Sequence, residues 1–493
     1  MTDRNLCLLL NRLLATGNEK PWLEFKQNCP DIQEIGTYIS ALANSALLND
    51  KDRAFIVFGI EDISLNKLGT NFKPSQSKIG NEGFRNWLNR LLDPKLKFEF
   101  HEFECDGKPF SIIEIEPSFY KPIKFKGEAW VRFGEHKRKL SKHPDVERSL
   151  WLATGKRKFE DALALTNFKS TAIFQLLDIE PYYRLQGLQT PVSELLILEN
   201  LVSANILYDE LDSSYSITNL GAMLLARDIS AFPSVRRKTV RVVPYQGNDF
   251  SNPRKEIEGQ KGYAVGFEGL LEFVVRQTPQ REEIINGVRR NTSIIPAIAI
   301  REFIANALIH QDLSATGGGP LIEIFSNRIE ISNPGQPLGE INRLIDDVPR
   351  SRNEKLASAM RHLNLCEERG RGLDKSIAAI ENSSTQNRIN LPSPSLRTST
   401  NGFVATLFGP LAFKAMTKEE RRRACYQHCV VRFLKNEYMS NTSLRSRFSL
   451  ADDEYKSISA VIADAIKENL VVPADAEQGN RNARYIPYFA RTT

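Results

Sequence analysis

Long hydrophobic runs are missing from this sequence. Nowhere do about 18 uncharged apolar residues stand together, which excludes an ordinary membrane-spanning helix. The first residues, MTDRNLCLLLNRLLATGNE, lose their apolar continuity at Asn11 and Arg12, so no signal peptide is expected and a cytoplasmic location is. Cysteine is scarce and scattered: six residues give no CxxC pair, and neither a disulfide framework nor a zinc ribbon is favoured. Cys425, His428 and Cys429 stand close together on an expected helix but lack a fourth ligand, so a partly buried helix face is preferred there to a metal site. Low-complexity tracts and repeats of fixed period are also absent. With 41% hydrophobic and 26% charged residues the chain is neither fibrous nor largely disordered.

What is present is a chain of 493 residues, too long for one core; at roughly 100 to 200 residues per domain, three or four units are expected. The expected fold class is α/β (α+β) and multidomain. Over 1–150, DIQEIGTYISALANSALLN and EGFRNWLNRLL have helical spacing, while AFIVFGIED and FSIIEIEPS read as buried strands. Over 151–234 two helical patterns flank a short polar strand pair, the order of a small winged-helix-like linker. Strands and helices alternate again over 235–412, with a long helix starting where Pro296 can take a first-turn position. SSTQNRINLPSPSLRTSTNG reads as a loop or mobile lid. Over 413–493 the order helix, turn, helix, hairpin is that of a winged helix, either a reader of a DNA groove or a packing module.

The net charge of +6 is modest, but its distribution is uneven. KPIKFKGEAWVRFGEHKRKLSK, residues 121–142, holds eight Lys or Arg against two Glu, interleaved with Phe125, Trp130 and Phe133. Cations neutralise phosphates and aromatic faces stack on unpaired bases, so Lys121, Lys124, Lys126, Arg132, Lys137, Arg138 and Lys139 form a candidate nucleic-acid surface. A solvated basic loop is the competing reading. Upstream, if WLEFK is a strand, its period of two puts Glu24 and Lys26 on one face and Leu23 and Phe25 on the other. Glu19, just before Pro21, can reach the same end of the sheet, and the apolar strand AFIVFGIED ends in Glu61 and Asp62. Phosphodiester hydrolysis needs converging carboxylates for divalent cations and a cation such as Lys to steady the phosphoryl charge. A solvent-exposed Glu24–Lys26 ion pair of little energetic weight satisfies the spacing equally well.

The order E-x4-E-x-K in NEKPWLEFK, with FIVFGIED following and AWVRFGEHKRKLS closing, resembles the core of Schlafen proteins and of the bacterial Schlafen AlbA-type domain over about residues 5 to 145. In the animal members this constellation is the active site of an endoribonuclease that cuts tRNA and rRNA. The resemblance implies Glu19, Glu24 and Asp62 as catalytic acids holding Mg²⁺ or Mn²⁺, with Lys26 at the scissile phosphate. The Cys/His zinc cluster of animal Schlafens has no counterpart here.

Further on, REFIANALIHQDLS places Glu302, Asn306 and His310 at intervals of four, along one side of a helix. An acid can polarise water and an amide oxygen one turn away can hold Mg²⁺. RIEISNPGQP runs a strand into a Pro-Gly turn, and EERGRGL has glycines spaced to let backbone N–H groups approach phosphates. In this order the pieces resemble the GHKL family of ATP-binding domains over about 235–412. The resemblance implies Glu302 as general base, Asn306 as Mg²⁺ ligand, and Arg369, Gly370 and Gly372 around the phosphates, with His310 and Gly335 also in the ATP site. SNPG stands in place of the usual D-x-G-x-G box, with Asn333 where the adenine-reading Asp is expected. RSRNEKLASAMRHLNL fits the same pattern, with Arg352 and Asn353 opening the helix before the glycines.

The leading expectation is an ATP-controlled, metal-dependent nuclease acting on structured RNA, tRNA first, in the role of a bacterial anti-phage effector. The alternative is an ATP-binding, DNA-binding transcriptional regulator without nuclease activity. ISAVIADAIKENL begins without Arg or base-reading Asn, which argues against sequence readout by that helix. A scaffold driven by an ATPase is the third. ATP, Mg²⁺ or Mn²⁺, a nucleic-acid partner and a homodimer or higher homo-oligomer are expected, and no membrane.

Overall fold

The structure, a computed structural model, describes residues 3–490 apart from 30, 50, 52, 62, 63, 119, 120, 135, 155–157, 211–213, 286, 287, 347–349, 368–371, 476 and 480–482. Helices and strands are mixed throughout, in line with the α/β expectation. The chain forms two compact units, one of residues 1–162, 167–170 and 208–216, the other of residues 163–166, 171–207 and 217–493. No described helix is long and apolar enough to cross a membrane.

In the first unit a four-stranded sheet runs in the order Leu23–Lys26, Ala54–Phe58, Lys108–Ile115, Phe98–Cys105. The first pair is parallel, with Glu24 opposite Ile56 and Lys26 opposite Phe58; the others are antiparallel. AFIVF is apolar without alternation because both faces of its sheet are covered. Ile56 and Phe58 enter a core with Ile39 and Leu42 of the helix Ile35–Leu48, and Phe55 and Val57 a second core with Leu6, Leu9 and Leu10 of Asp3–Leu14. Leu23 and Phe25 fill that second core, so the strand's period of two leaves Glu24 and Lys26 on the opposite face.

A second sheet orders His136–Lys139, Glu128–Phe133, Lys124–Phe125 and Leu92–Asp93, so most of the basic stretch is strand. It is held to the helix Ile35–Leu48 by buried small polar side chains. Ser40 Oγ donates to the Ile123 carbonyl at 2.7 Å, Asn44 Nδ2 donates to the Ile123 and Trp130 carbonyls, and Ser45 Oγ accepts the Arg132 N–H at 2.8 Å. Gly36 is required where the helix crosses this sheet, since a Cβ there would overlap the Phe125 ring. Phe125 is therefore core, 3% exposed, and not a platform for base stacking as its interleaving with lysines had suggested. Cys7 and Cys105 form a disulfide across 98 positions, with Cα atoms 5.5 Å apart, a pairing that no spacing in the sequence signals.

The second unit contains a six-stranded sheet in the order Ile257–Glu258, Arg241–Pro244, Leu321–Ile324, Arg328–Pro334, Gly402–Phe408, Ser395–Ser399. Only Arg241–Pro244 with Leu321–Ile324 is parallel. The helix Ala297–His310 packs on Arg328–Pro334 and on the helix Gly372–Asn387; Pro296 caps it rather than entering its first turn. The Ser/Thr-rich stretch read as a lid is partly regular. The helix continues to Asn387, and Ser395–Ser399 is an edge strand whose outer residues, Arg397, Thr398 and Ser399, are exposed, which is why the composition resembles a loop.

The helix Lys418–Leu434, opened by a Thr417–Glu420 capping box, is followed by Asn441–Arg447, Tyr455–Lys467 and a hairpin of Val471–Pro473 with Tyr485–Pro487. Cys425 and Cys429 are fully buried in its core. His428 is committed elsewhere, with Nδ1 2.9 Å from Glu381 Oε2 and Nε2 3.1 Å from Ser443 Oγ, and Arg447 Nε lies 3.6 Å from Glu381. Among the described residues no cluster of His, Cys, Asp and Glu could hold a metal ion.

Candidate functional site

Two clusters carry the residues singled out from the sequence. In the first unit Glu19, Glu24 and Lys26 come together; Asp62 lies outside the described residues. Glu19 Oε1 accepts the Phe25 N–H at 2.9 Å, which fixes the carboxylate beside the strand, and Oε2 accepts from Arg132 Nη2 at 2.7 Å. The other guanidinium nitrogen, Nη1, bonds Glu24 Oε2, and Glu24 Oε1 lies 2.9 Å from Lys26 Nζ. Lys26 also meets the Tyr38 hydroxyl at 3.2 Å and stands 4.2 Å from that ring's centroid. Lys137 Nζ is 4.0 Å from the same centroid and 2.9 Å from Glu34. Charges therefore alternate from Glu19 through Arg132 and Glu24 to Lys26, and two ammoniums share one tyrosine.

Placed by its sequence on a phosphate-binding surface, Arg132 is 5% exposed and joins the two motif glutamates, because the Ser45 bond draws its strand against the helix. Burial pushes the Glu24 carboxyl above its ordinary pKa, opposed by the Arg132 and Lys26 charges. Burial also disfavours the Lys26 ammonium, yet the Glu24 carboxylate and the Tyr38 hydroxyl together leave Lys26 above its ordinary value. The Glu19 and Glu24 oxygens are spent on cations and a backbone N–H, so as arranged they do not fit a divalent metal ion while Arg132 holds both. Of the remaining basic residues Lys124, Lys126, Arg138 and Lys139 are exposed. Lys121 is paired with Asp93 at 2.8 Å and Lys139 with Glu128 at 3.2 Å.

In the second unit Glu302, Asn306, His310, Asn333, Gly335 and Gly372 all line one cavity of about 200 Å³. Arg369 and Gly370 lie outside the described residues. Those residues reach it from the helix Ala297–His310, the end of the strand Arg328–Pro334 with the turn after it, and the first residue of Gly372–Asn387; the helix Glu354–His362 and the strand Gly402–Phe408 add to the wall. Glu302 is 6% exposed; burial raises its carboxyl pKa, with Arg301 and a hydrogen bond from Asn306 opposing the shift and Glu367 adding to it. A buried acid poised upward suits a general base. Burial, with Arg352 nearby, lowers the His310 imidazole to about 4, so the ring is neutral at pH 7. Gly372 lies against Glu302 with no room for a Cβ, and Gly335 has φ +98° with Arg352 Nη1 2.8 Å from where a Cβ would stand. Asn333 donates from Nδ2 to the Pro334 carbonyl at 3.0 Å, which leaves Oδ1 as an acceptor. The Asn306 amide donates to Glu302 one helical turn away, which leaves its oxygen free in chemistry to serve as a Mg²⁺ ligand.

Sequence reasoning missed Tyr38, the inward role of Arg132, and Arg350 and Arg361 at the cavity wall. The arginines were visible in RSRNEKLASAMR as cations spaced along a helix start; Tyr38 had no signal beyond its place on an amphipathic helix.

Residues 19–141 match the family model described as "Schlafen, AlbA_2", and residues 317–407 match HATPase_c_4, described as "Putative ATP-dependent DNA helicase recG C-terminal". The chain thus carries a Schlafen/AlbA_2 domain toward its N-terminus and a recG-like HATPase_c_4 domain toward its C-terminus. No curated protein matches the chain. A solved structure, the DIP2311 protein from Corynebacterium diphtheriae, is 13% identical over 98% of this chain and 97% of its own, with a TM-score of 0.42.

Proposed function

We propose that this chain is an ATP-dependent protein acting on nucleic acid, in which the Glu19–Arg132–Glu24–Lys26 cluster cuts the backbone of structured RNA, tRNA first, under the control of ATP in the Glu302–Asn306 cavity. The observation that carries the proposal is the convergence of two motif carboxylates with Lys26 and Lys137 beside exposed basic strands. Lys26 is placed to steady charge on a phosphoryl oxygen, and Glu24 to accept a proton. Lys124, Lys126, Arg138 and Lys139 supply contacts along the backbone. Mg²⁺ or Mn²⁺ is expected from the family likeness, with Asp62 as a further ligand. Because Arg132 occupies the described carboxylates, metal dependence belongs among the experiment's variables. In the cavity, Asn306 would hold Mg²⁺, Glu302 would activate water, and the nucleotide would be ATP, in a domain of GHKL type. A nuclease joined to a nucleotide sensor suits an anti-phage effector, and a homodimer formed through the ATP-binding part is the expected assembly.

The test is incubation of purified protein with total tRNA, with and without ATP, in EDTA, Mg²⁺ or Mn²⁺, beside the isosteric Glu24→Gln. Cleavage lost in the variant supports the proposal. No cleavage under any condition, or equal cleavage by both proteins, sinks it. One observation favours a second reading, a nucleic-acid-binding regulator that does not cut: the Arg132 guanidinium already balances both carboxylates. That reading predicts tight duplex DNA binding, unchanged in Glu24→Gln, and no cleavage.

A further inference from the structure

Tyr38 has no place in the function just proposed, yet it touches two of the cations invoked there. It stands near the start of the helix Ile35–Leu48, with its ring packed against the core of the first unit and so held in place. Lys26 comes to it from the strand Leu23–Lys26 and Lys137 from the strand His136–Lys139, which belong to different sheets. Their ammoniums lie 4.2 and 4.0 Å from the ring centroid, so the two nitrogens are no more than about 8 Å apart.

An ammonium has three N–H donors. Lys26 spends one on Glu24 at 2.9 Å and one on the Tyr38 hydroxyl at 3.2 Å; Lys137 spends one on Glu34 at 2.9 Å and one on the Thr37 hydroxyl at 3.1 Å. One N–H of each has no acceptor among the described residues, and the Tyr38 hydroxyl, accepting from Lys26, keeps its own proton to donate. Three donors thus remain around one ring. The neighbouring carboxylates do not close the site. Glu24 gives its other oxygen to Arg132 inside the protein, and the Glu34 side chain is half exposed, so its hold on Lys137 is weak and exchangeable for another anion. A phosphate taking charge-assisted bonds of about 2.7–2.9 Å on either side spans a gap of this size. Lys139, two residues and about 6.7 Å beyond Lys137 on the same strand face, is exposed and continues the cationic line.

We infer that Lys26, Lys137 and the Tyr38 hydroxyl form one clamp for a single backbone phosphate of nucleic acid, and that Tyr38 is the residue that seats both ammoniums on it. The inference rests on the reading of this cluster as a nucleic-acid site and does not require cleavage.

The test is binding of fluorescently labelled tRNA to the full chain, by anisotropy in EDTA, between about 50 and 200 mM salt. Lys137→Met should lower the slope of log K against log salt by about 0.7–0.9, the loss of one phosphate contact. Tyr38→Leu removes no charge, yet it should lower the slope by at least as much and weaken binding at least tenfold; a lost packing contact alone would leave the slope as it was. Tyr38→Phe, which keeps the ring and loses the hydroxyl, should weaken binding three- to tenfold with the slope kept. An unchanged slope in Tyr38→Leu, beside a wild type that binds, overturns the inference and leaves the reading of the cluster standing. Absence of tRNA binding by the wild type overturns both. Should Tyr38→Leu not fold, an unaltered affinity in Tyr38→Phe overturns the inference instead. Displacement of the tRNA by inorganic phosphate at matched ionic strength would show a site for a lone ion and overturn it too.

Discussion

Arg132 spends both arms of its guanidinium on carboxylates from the stretch NEKPWLEFK, with 1% of its side chain exposed. Removing such a partner leaves uncompensated buried charge, so Arg132→Met should lower the unfolding free energy by about 3–5 kcal/mol, read by denaturant titration. Glu24→Gln added to Arg132→Met should recover part of that loss, since the two act on one network. His310 has a pH signature of opposite origin. Its folded pKa near 4 lies below the ordinary 6.5, so the unfolded chain protonates first. The stability it contributes is complete above about pH 6.5 and is lost as pH falls toward 4. Over that window His310→Gln should lose less stability than the unaltered protein; parallel curves would refute the assignment. At this scale the sequence was legible where periodicity speaks: Glu24 and Lys26 do share a face. Periodicity says which face a residue takes but not what meets it there, so a basic residue in a basic run looked like surface when it was a buried counter-ion.

Among the elements, the glycines show why so many separated residues reach one cavity. The helix Gly372–Asn387 can start against Glu302 only because its first residue has no side chain. Gly372→Ala should therefore displace the acid, cost about 1–3 kcal/mol in stability and abolish ATP binding measured by fluorescent-analogue titration. Gly335→Ala, at φ +98° and crowded by Arg352, should cost about 1–3 kcal/mol, while Gly80→Ala, with φ +59° and open space around it, should bear conformational strain alone. Apolar spacing found the helix Ala297–His310 and the buried strand Ala54–Phe58 with little ambiguity. The edge strand Ser395–Ser399 escaped because exposed edges are polar, and polar Ser and Thr are also what loops are made of. The Cys7–Cys105 pair escaped because contact between positions so far apart is a property of the sheet, not of any local pattern.

For the whole molecule, two compact units predict two thermal transitions by scanning calorimetry. A non-hydrolysable ATP analogue should raise only the transition of the unit bearing the Glu302 cavity, by about 2.7 kcal/mol at a hundredfold excess over Kd, and Asn306→Ala should erase that rise. One element makes the response readable at a distance. The helix Gly372–Asn387 abuts Glu302 at its start and, nine residues on, about 14 Å along its axis, delivers Glu381 to His428 and Arg447. A rod held at its start and again past its middle does not let one point shift in silence. The imidazole of His428, sealed in the C-terminal core, becomes a gauge of what sits beside Glu302, and its ring resonances should move when the distant cavity fills.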